Sequence, residues 1–282
     1  MTENDAPREP KSGQIEDVGT HMSHDAKHAG DGAPPIDSQR QQVSNSTKQK
    51  QWYTSYYQKK GANRNDRRSN PGVLFQVLAT EASIVRACRV IDHDAARAMV
   101  LDVGCGGGCD LYDLILLHYD TAKMTGIDIS PDRIAGARKL WPQVRFVLGD
   151  ASRMEFADHS FDLIFESTMF ATLPDDALSA AIAREMVRVC RPGGYLMLVD
   201  WRTPKPGDRN YKALTRRRLT DLFAVGRETD LLRVCRGALV PPLGRWLSTW
   251  FPSAYFVVAA VFPFLVGQVT YVLQKKPQTQ IL

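Results

Sequence analysis

The sequence predicts an α/β fold, a doubly wound and mostly parallel sheet, on three observations. From Ala98 onward, short apolar runs alternate with helical stretches at regular spacing, which is the pattern of parallel strands joined by crossover helices. The first apolar run breaks at once into VLDVGCGGGCD (100–110), four glycines and two cysteines flanked by aspartates. A strongly amphipathic stretch, DDALSAAIAREMVRVC (175–190), runs into RPGG and then into a further apolar run.

Residues 1–50 hold almost no aromatic or large aliphatic side chains and are rich in Gln, Ser, Asp, Gly and Pro. Such a segment buries too little apolar area to offset its chain entropy, so a disordered tail is expected there. It lacks the basic-then-apolar layout of a secretory signal, and the expectation is a cytoplasmic start. Residues 51–97 read as a helical extension: QWYTSYYQKKGANRND is aromatic and basic, and LFQVLATEASIVRACRVI (74–91) places apolar residues at helical spacing.

The core is expected over 98–282. Ala98–Val103 is a buried strand, followed by a helix around Asp110–Tyr119. MTGIDI (124–129) is a second strand, and PDRIAGARKLW (131–141) a helix with Ser130 as N-cap. VRFVLGD (144–150), FDLIFES (161–167) and YLMLVDW (195–201) are further strands, and VTYVLQKK near the C-terminus reads as the last.

The net charge of +5 is unevenly spread. Residues 201–250 carry 11 basic and 4 acidic groups, whereas 51–200 carry 17 and 19. Two readings of the basic stretch stand: a solvated face, or a surface for an anionic partner such as phospholipid headgroups or a phosphate-bearing substrate. No nucleic-acid module accompanies it, so no nucleic acid is expected. The five cysteines are scattered and odd in number, which suits reduced thiols, and none of their spacings completes a metal site.

The glycine loop excludes two ligands by pattern. A Walker loop needs Gly-Lys-Ser/Thr, and no lysine occurs between Val100 and Ala122. A dinucleotide fingerprint needs glycine at the sixth position, which is Cys109 counted from Gly104 and Leu111 counted from Gly106. The residues do fit Asp-x-Gly-x-Gly-x-Gly: Asp102, Gly104, Gly106, Gly108. This resembles the first motif of the class I S-adenosylmethionine-dependent methyltransferases. The resemblance implies a Rossmann-like fold with a seven-stranded, mostly parallel sheet and S-adenosylmethionine as cofactor. Asp102 would orient the loop and its ligand, and the backbone of Gly104, Cys105 and Gly106 would lie against the methionine portion. Asp128 of GIDIS, with Ile129 beside it, would take the ribose hydroxyls, and Asp150 of LGDAS, with Ala151, would face the adenine. Read alone, Asp128 also suits a strand-end cap, and Asp150 the start of a turn with Ser152 and Glu155.

A second resemblance rests on NPGVLFQ (70–76), ESTMFATLPDD (166–176), VDWRTPKPGDRNYKALTRRRLTDLF (199–223) and VPPLGRWL (240–247). These look like methyltransferases associated with bacterial surface-polysaccharide and glycolipid assembly. They imply O-methylation of a sugar or another hydroxylated acceptor, with 201–265 as a basic and apolar insertion on the acceptor side. Two rivals stand beside it: methylation of a small aromatic or lipid-like molecule, and a non-catalytic S-adenosylmethionine-binding scaffold. A hydroxyl acceptor gains from a general base, and the strand ends nominate Glu166 and Asp200, each of which also suits capping of backbone amides. His159 lies in a turn at the other sheet end and is expected to be structural or exposed. Trp52, Tyr53, Tyr56 and Tyr57 read either as a lid or as an ordinary packed helix.

WFPSAYFVVAAVFPFLVG (250–267) has 18 residues without a charge, but Pro252 and Pro263 interrupt it. About 10 uninterrupted residues make roughly 15 Å of helix, against a bilayer core of about 30 Å. A buried or site-capping helix is expected, with peripheral contact with an anionic membrane as the alternative.

Overall fold

The computed structural model describes residues 68–205 and 207–277. The tail over 1–50 and the aromatic segment of Trp52, Tyr53, Tyr56 and Tyr57 lie outside the described residues. Among those described, seven strands form one sheet: β1 (Val100–Val103), β2 (Met124–Asp128), β3 (Arg145–Leu148), β4 (Phe161–Ser167), β5 (Cys190–Trp201), β6 (Thr229–Arg236) and β7 (Gln268–Lys275). Their spatial order is β3-β2-β1-β4-β5-β7-β6. β1 to β5 pair in parallel, and β7 runs antiparallel between β5 and β6.

Both faces of this sheet are covered, as the near-continuous apolar strands require. Side chains alternate between two cores. Leu101, Val103, Ile164, Leu196 and Leu198 point to one, which is closed by helices α4 (Asp176–Val189) and α5 (Arg216–Leu222). Val100, Leu163, Phe165, Met197 and Val199 point to the other. There they meet α1 (Pro71–Cys88), α2 (Leu111–Leu116) and α3 (Pro131–Leu140).

Within the expected 51–97 extension the described residues form α1, with Pro71 in its first turn where a missing N–H costs nothing. Buried polar contacts fasten it to the last strand and to the chain just after β6. Ser83 Oγ and Thr270 Oγ1 lie 2.6 Å apart, and Gln76 Nε2 donates to the Leu239 carbonyl at 3.1 Å.

Three expectations change. The strand expected from Tyr195 starts earlier: the helix ends at Val189, and β5 begins at Cys190 and runs through RPGG, with a register shift opposite Phe161–Leu163. The bulge lets Pro192 sit in the strand without breaking the ladder. Part of the basic stretch is itself sheet, since Thr229–Arg236 forms the edge strand. Finally, 250–267 is not a buried helix. After α6 (Pro241–Trp250), Pro252 and Pro263 each begin a 3-10 turn, with α7 (Tyr255–Val261) between them. Of α7 only Tyr255 is buried, its hydroxyl accepting from the Leu239 amide at 3.0 Å.

Candidate cofactor and acceptor site

Parallel register brings the ends of β1, β2, β4 and β5 to one edge. Asp102 stands opposite Gly126, Val103 opposite Glu166, and Glu166 opposite Leu198, two residues before Asp200. The crevice beyond strand carboxyl ends is where open α/β sheets bind ligands.

The glycine loop is anchored to β2 by backbone. Gly104 N and Cys105 N both donate to the Ile127 carbonyl, at 2.8 and 3.1 Å. Gly104 and Gly106 adopt φ of 72° and 54°, a left-handed conformation that glycine takes without a Cβ penalty. A Cβ at Gly106 would overlap the Arg133 guanidinium, so the backbone is bare where that side chain meets it. Cys105 is buried, and burial pushes its thiol well up, as for an inert packed cysteine.

Asp102 is 2% exposed, and its Oδ2 has no hydrogen-bond partner among the described residues. Burial, reinforced by Asp110 and Asp128, pushes its carboxyl well above the usual range, while Arg133 opposes the shift. A buried acidic group with an open oxygen is a place prepared for a donor or a cation.

Asp128 spends both oxygens on backbone: Oδ2 accepts from Gly106 N at 2.9 Å and Oδ1 from Ser130 N at 2.8 Å. It is therefore a cap in fact, and each oxygen retains lone-pair capacity. Ser130 holds the N-cap position of α3 but makes no side-chain cap bond. Ile129 beside it is half-buried, as is Ala151. Asp150 Oδ1 accepts from Ser152 N and Oγ at 2.8 and 2.7 Å, an Asx-type turn that aims the chain after β3.

Glu166 and Asp200 are fully buried. Asp200 Oδ2 accepts from Ala171 N at 2.9 Å and Oδ1 from Trp201 N at 2.6 Å. Glu166 Oε1 accepts from Met169 N, while Oε2 has no partner among the described residues. Burial, and next the neighbouring Asp200, raises the Glu166 carboxyl well above its ordinary value. Burial likewise lifts Asp200, up to about 7. Two like charges this confined favour sharing a proton. Between them the chain turns sharply: Thr168 holds φ of 62°, costly for a β-branched residue.

Sequence reasoning missed two arginines. Arg133 meets the glycine loop from the first turn of α3. Arg218, buried, donates to the carbonyls of Phe170 (2.9 Å), Leu173 (2.7 Å) and Lys212 and to Ser179 Oγ (2.8 Å), holding the turn after β4. Its signal is hidden in the run Arg216-Arg217-Arg218. His159 is exposed at the opposite sheet end, its Nδ1 3.1 Å from Lys275 Nζ. Among the described residues no cluster of His, Cys, Asp and Glu has metal-site geometry.

Residues 100–194 match the family described as methyltransferase domain. The 2-methyl-6-phytyl-1,4-hydroquinone methyltransferase of Synechocystis is 38% identical over 105 residues, covering 36% of this chain and 31% of that protein. The demethylmenaquinone methyltransferase of Beutenbergia cavernae is 36% identical over 105 residues, covering 37% and 41%. The chain thus spans less than half the length of either curated relative. In fold it is similar to the Burkholderia thailandensis 1,6-didemethyltoxoflavin-N1-methyltransferase, solved with 1,6-didemethyltoxoflavin and S-adenosylhomocysteine. The TM-score is 0.52 at 18% identity, over 88% of this chain and 93% of that one. The sheet is that of the Rossmann-like methyltransferase fold. These relatives do not support the surface-polysaccharide resemblance.

Proposed function

We propose that this chain, which carries an S-adenosylmethionine-dependent methyltransferase domain over residues 100–194, transfers a methyl group to a small, lipid-like acceptor bearing a hydroxyl or an aromatic ring. The observation that carries the reading is the acidic edge around the glycine loop: Asp102 with an unpartnered buried oxygen, Asp128 tied to Gly106, and bare backbone at Gly104–Gly106. S-adenosylmethionine, when bound, supplies a methyl group on a positively charged sulfur.

In this reading Asp102 takes the ammonium of the amino-acid portion, and the backbone of Gly104, Cys105 and Gly106 lies along it. Asp128 and Ile129 hold the ribose, and Asp150 and Ala151 the adenine. Glu166 and Asp200 form the acceptor-side pair. Among the described residues Glu166 Oε2 is the one oxygen of the pair left without a partner, which supports it as the atom that accepts a hydroxyl proton, and its raised proton affinity suits that task. Asp200, with both oxygens committed to backbone, positions the turn and sets the proton affinity of its neighbour. The chain's main contribution to rate is alignment of donor and acceptor.

The lipid-like character of the acceptor is supported by the relatives named for hydroquinone and menaquinone substrates. It also accords with peripheral contact with an anionic membrane. A sugar or glycolipid headgroup is the competing acceptor. The test is incubation with methyl-labelled S-adenosylmethionine and four separate pools: prenylated hydroquinones, small phenols, lipid-linked sugars and free sugars. Label in either of the first two supports the reading. Label confined to sugars overturns the acceptor class, and cofactor binding without transfer to any pool favours a scaffold.

A further inference from the structure

The last quarter of the chain carries a surface that the methyl-transfer reading does not use. After Asp230 the sequence contains no acidic residue at all, but holds Arg233, Arg236, Arg245, Lys275 and Lys276. Within it, α6, α7 and the two 3-10 turns expose a dense set of large apolar side chains. Phe264 is 73% exposed, Trp250 69%, and Val257 and Val261 61% each, with Phe251 and Phe256 beside them. Scattered exposed apolar residues are ordinary, whereas so many on one short segment mark a contact surface.

The location is specific. Arg202, just past β5, donates to the carbonyls of Pro263 and Val266 at 2.8 and 3.0 Å. Gly267 approaches Trp201 and Thr203. The apolar segment therefore borders the carboxyl edge of the sheet, two residues from Asp200 along β5. Its underside is fixed, because Phe75 N donates to Ser248 Oγ at 3.2 Å and Tyr255 is buried among α1 residues. The exposed side chains are thus presented by a supported platform.

We propose that this face docks on an anionic lipid bilayer, lying in its interface with Trp250, Phe251, Val257, Val261 and Phe264 inserted. No helix among the described residues is long and apolar enough to cross a membrane, so the segment lies on the bilayer rather than spanning it. Tryptophan rings favour the headgroup level, and a segment with no acidic residue, holding Arg245 and with Arg202 bound against it, matches anionic headgroups. A second copy of the chain would bring Arg245, and Arg202 bound against the segment, up to their own counterparts, which argues for lipid over self-association. Docking this way turns the acceptor side of the site toward the membrane. That consequence rests on the lipid-like acceptor reading, but the test below needs no methyl transfer.

The full chain is sedimented with vesicles of phosphatidylcholine alone and of phosphatidylcholine mixed with phosphatidylglycerol, alongside Trp250→Ser/Phe264→Ser. The expected result is binding that requires phosphatidylglycerol, weakens with salt, and falls about tenfold or more in the variant while S-adenosylhomocysteine affinity is unchanged. In the native chain, brominated lipid should quench tryptophan fluorescence, a readout independent of the variant's folding. A chain left in the supernatant, binding indifferent to the substitutions, or a solution dimer that they convert to monomer would overturn the proposal.

Discussion

Asp128 and Gly106 are joined by a 2.9 Å hydrogen bond from the loop amide to the carboxylate, so the residue expected to hold the ribose also sets the shape of the glycine loop. In the proposed reading, recognition and loop geometry are one unit. Asp128→Ala strands the amides of Gly106 and Ser130, each losing a charge-assisted partner worth about 1.5–3 kcal/mol. Calorimetric titration should show S-adenosylhomocysteine affinity lowered about tenfold to a hundredfold or more. Unchanged affinity would remove Asp128 from the site.

Gly106→Ala places a Cβ at φ 54° and into the Arg133 guanidinium. Strain of about 1–2 kcal/mol is expected from the backbone alone, and Arg133 must move as well. The same titration should show cofactor affinity lost together with a lowered unfolding midpoint. Gly107→Ala is the control, since nothing lies within 4 Å of its added Cβ, and it should bind nearly as the native protein does.

Arg218→Ala removes the donor set beneath the Phe170–Leu173 turn. Orphaning these buried acceptors is expected to cost about 1–3 kcal/mol apiece, read by denaturant unfolding. Arg218→Lys should recover part of this, because an ammonium cannot span the same fork of acceptors. A loss below about 1 kcal/mol would place Arg218 among ordinary surface arginines.

The carboxylate pair makes stability depend on pH. Burial lifts Asp200 from 3.8 to about 7, so the folded state keeps this proton after the unfolded chain has released it. Its stabilising contribution is complete below about 3.8 and declines as pH rises toward 7. Half-buried His93, whose pKa is lowered mainly by desolvation, acts in the opposite sense below its ordinary 6.5. The difference between native protein and Glu166→Gln therefore isolates the pair: the variant should lose less stability between pH 5 and 8. Its methyl-transfer rate should fall at least about a hundredfold at unchanged cofactor affinity, and native kcat/KM should rise with pH. A variant with the native rate would relieve Glu166 of any proton transfer.

Much of this was legible in the sequence because alternation and glycine chemistry are local. The strands at 100–103, 124–128 and 161–167 and the carboxylates at their ends follow from apolar runs ending in Asp or Glu. β6 was not legible: an edge strand is solvated on its open side, so TDLLRVCR reads as part of a basic run. The exposure of 250–267 was hidden for the reverse reason, since an apolar run carries no mark of whether protein or lipid covers it. Nor could Arg218 be told from its two neighbours, because only the turn after β4 selects it.

The central claim is that the Asp102–Gly108 loop is an S-adenosylmethionine site. Its most direct test is calorimetric titration of the full chain with S-adenosylmethionine and S-adenosylhomocysteine, with NAD and ATP as controls. Saturable one-to-one binding of both cofactor forms and of neither control is the result predicted. Heat from NAD or ATP, or none from either cofactor form, would contradict it.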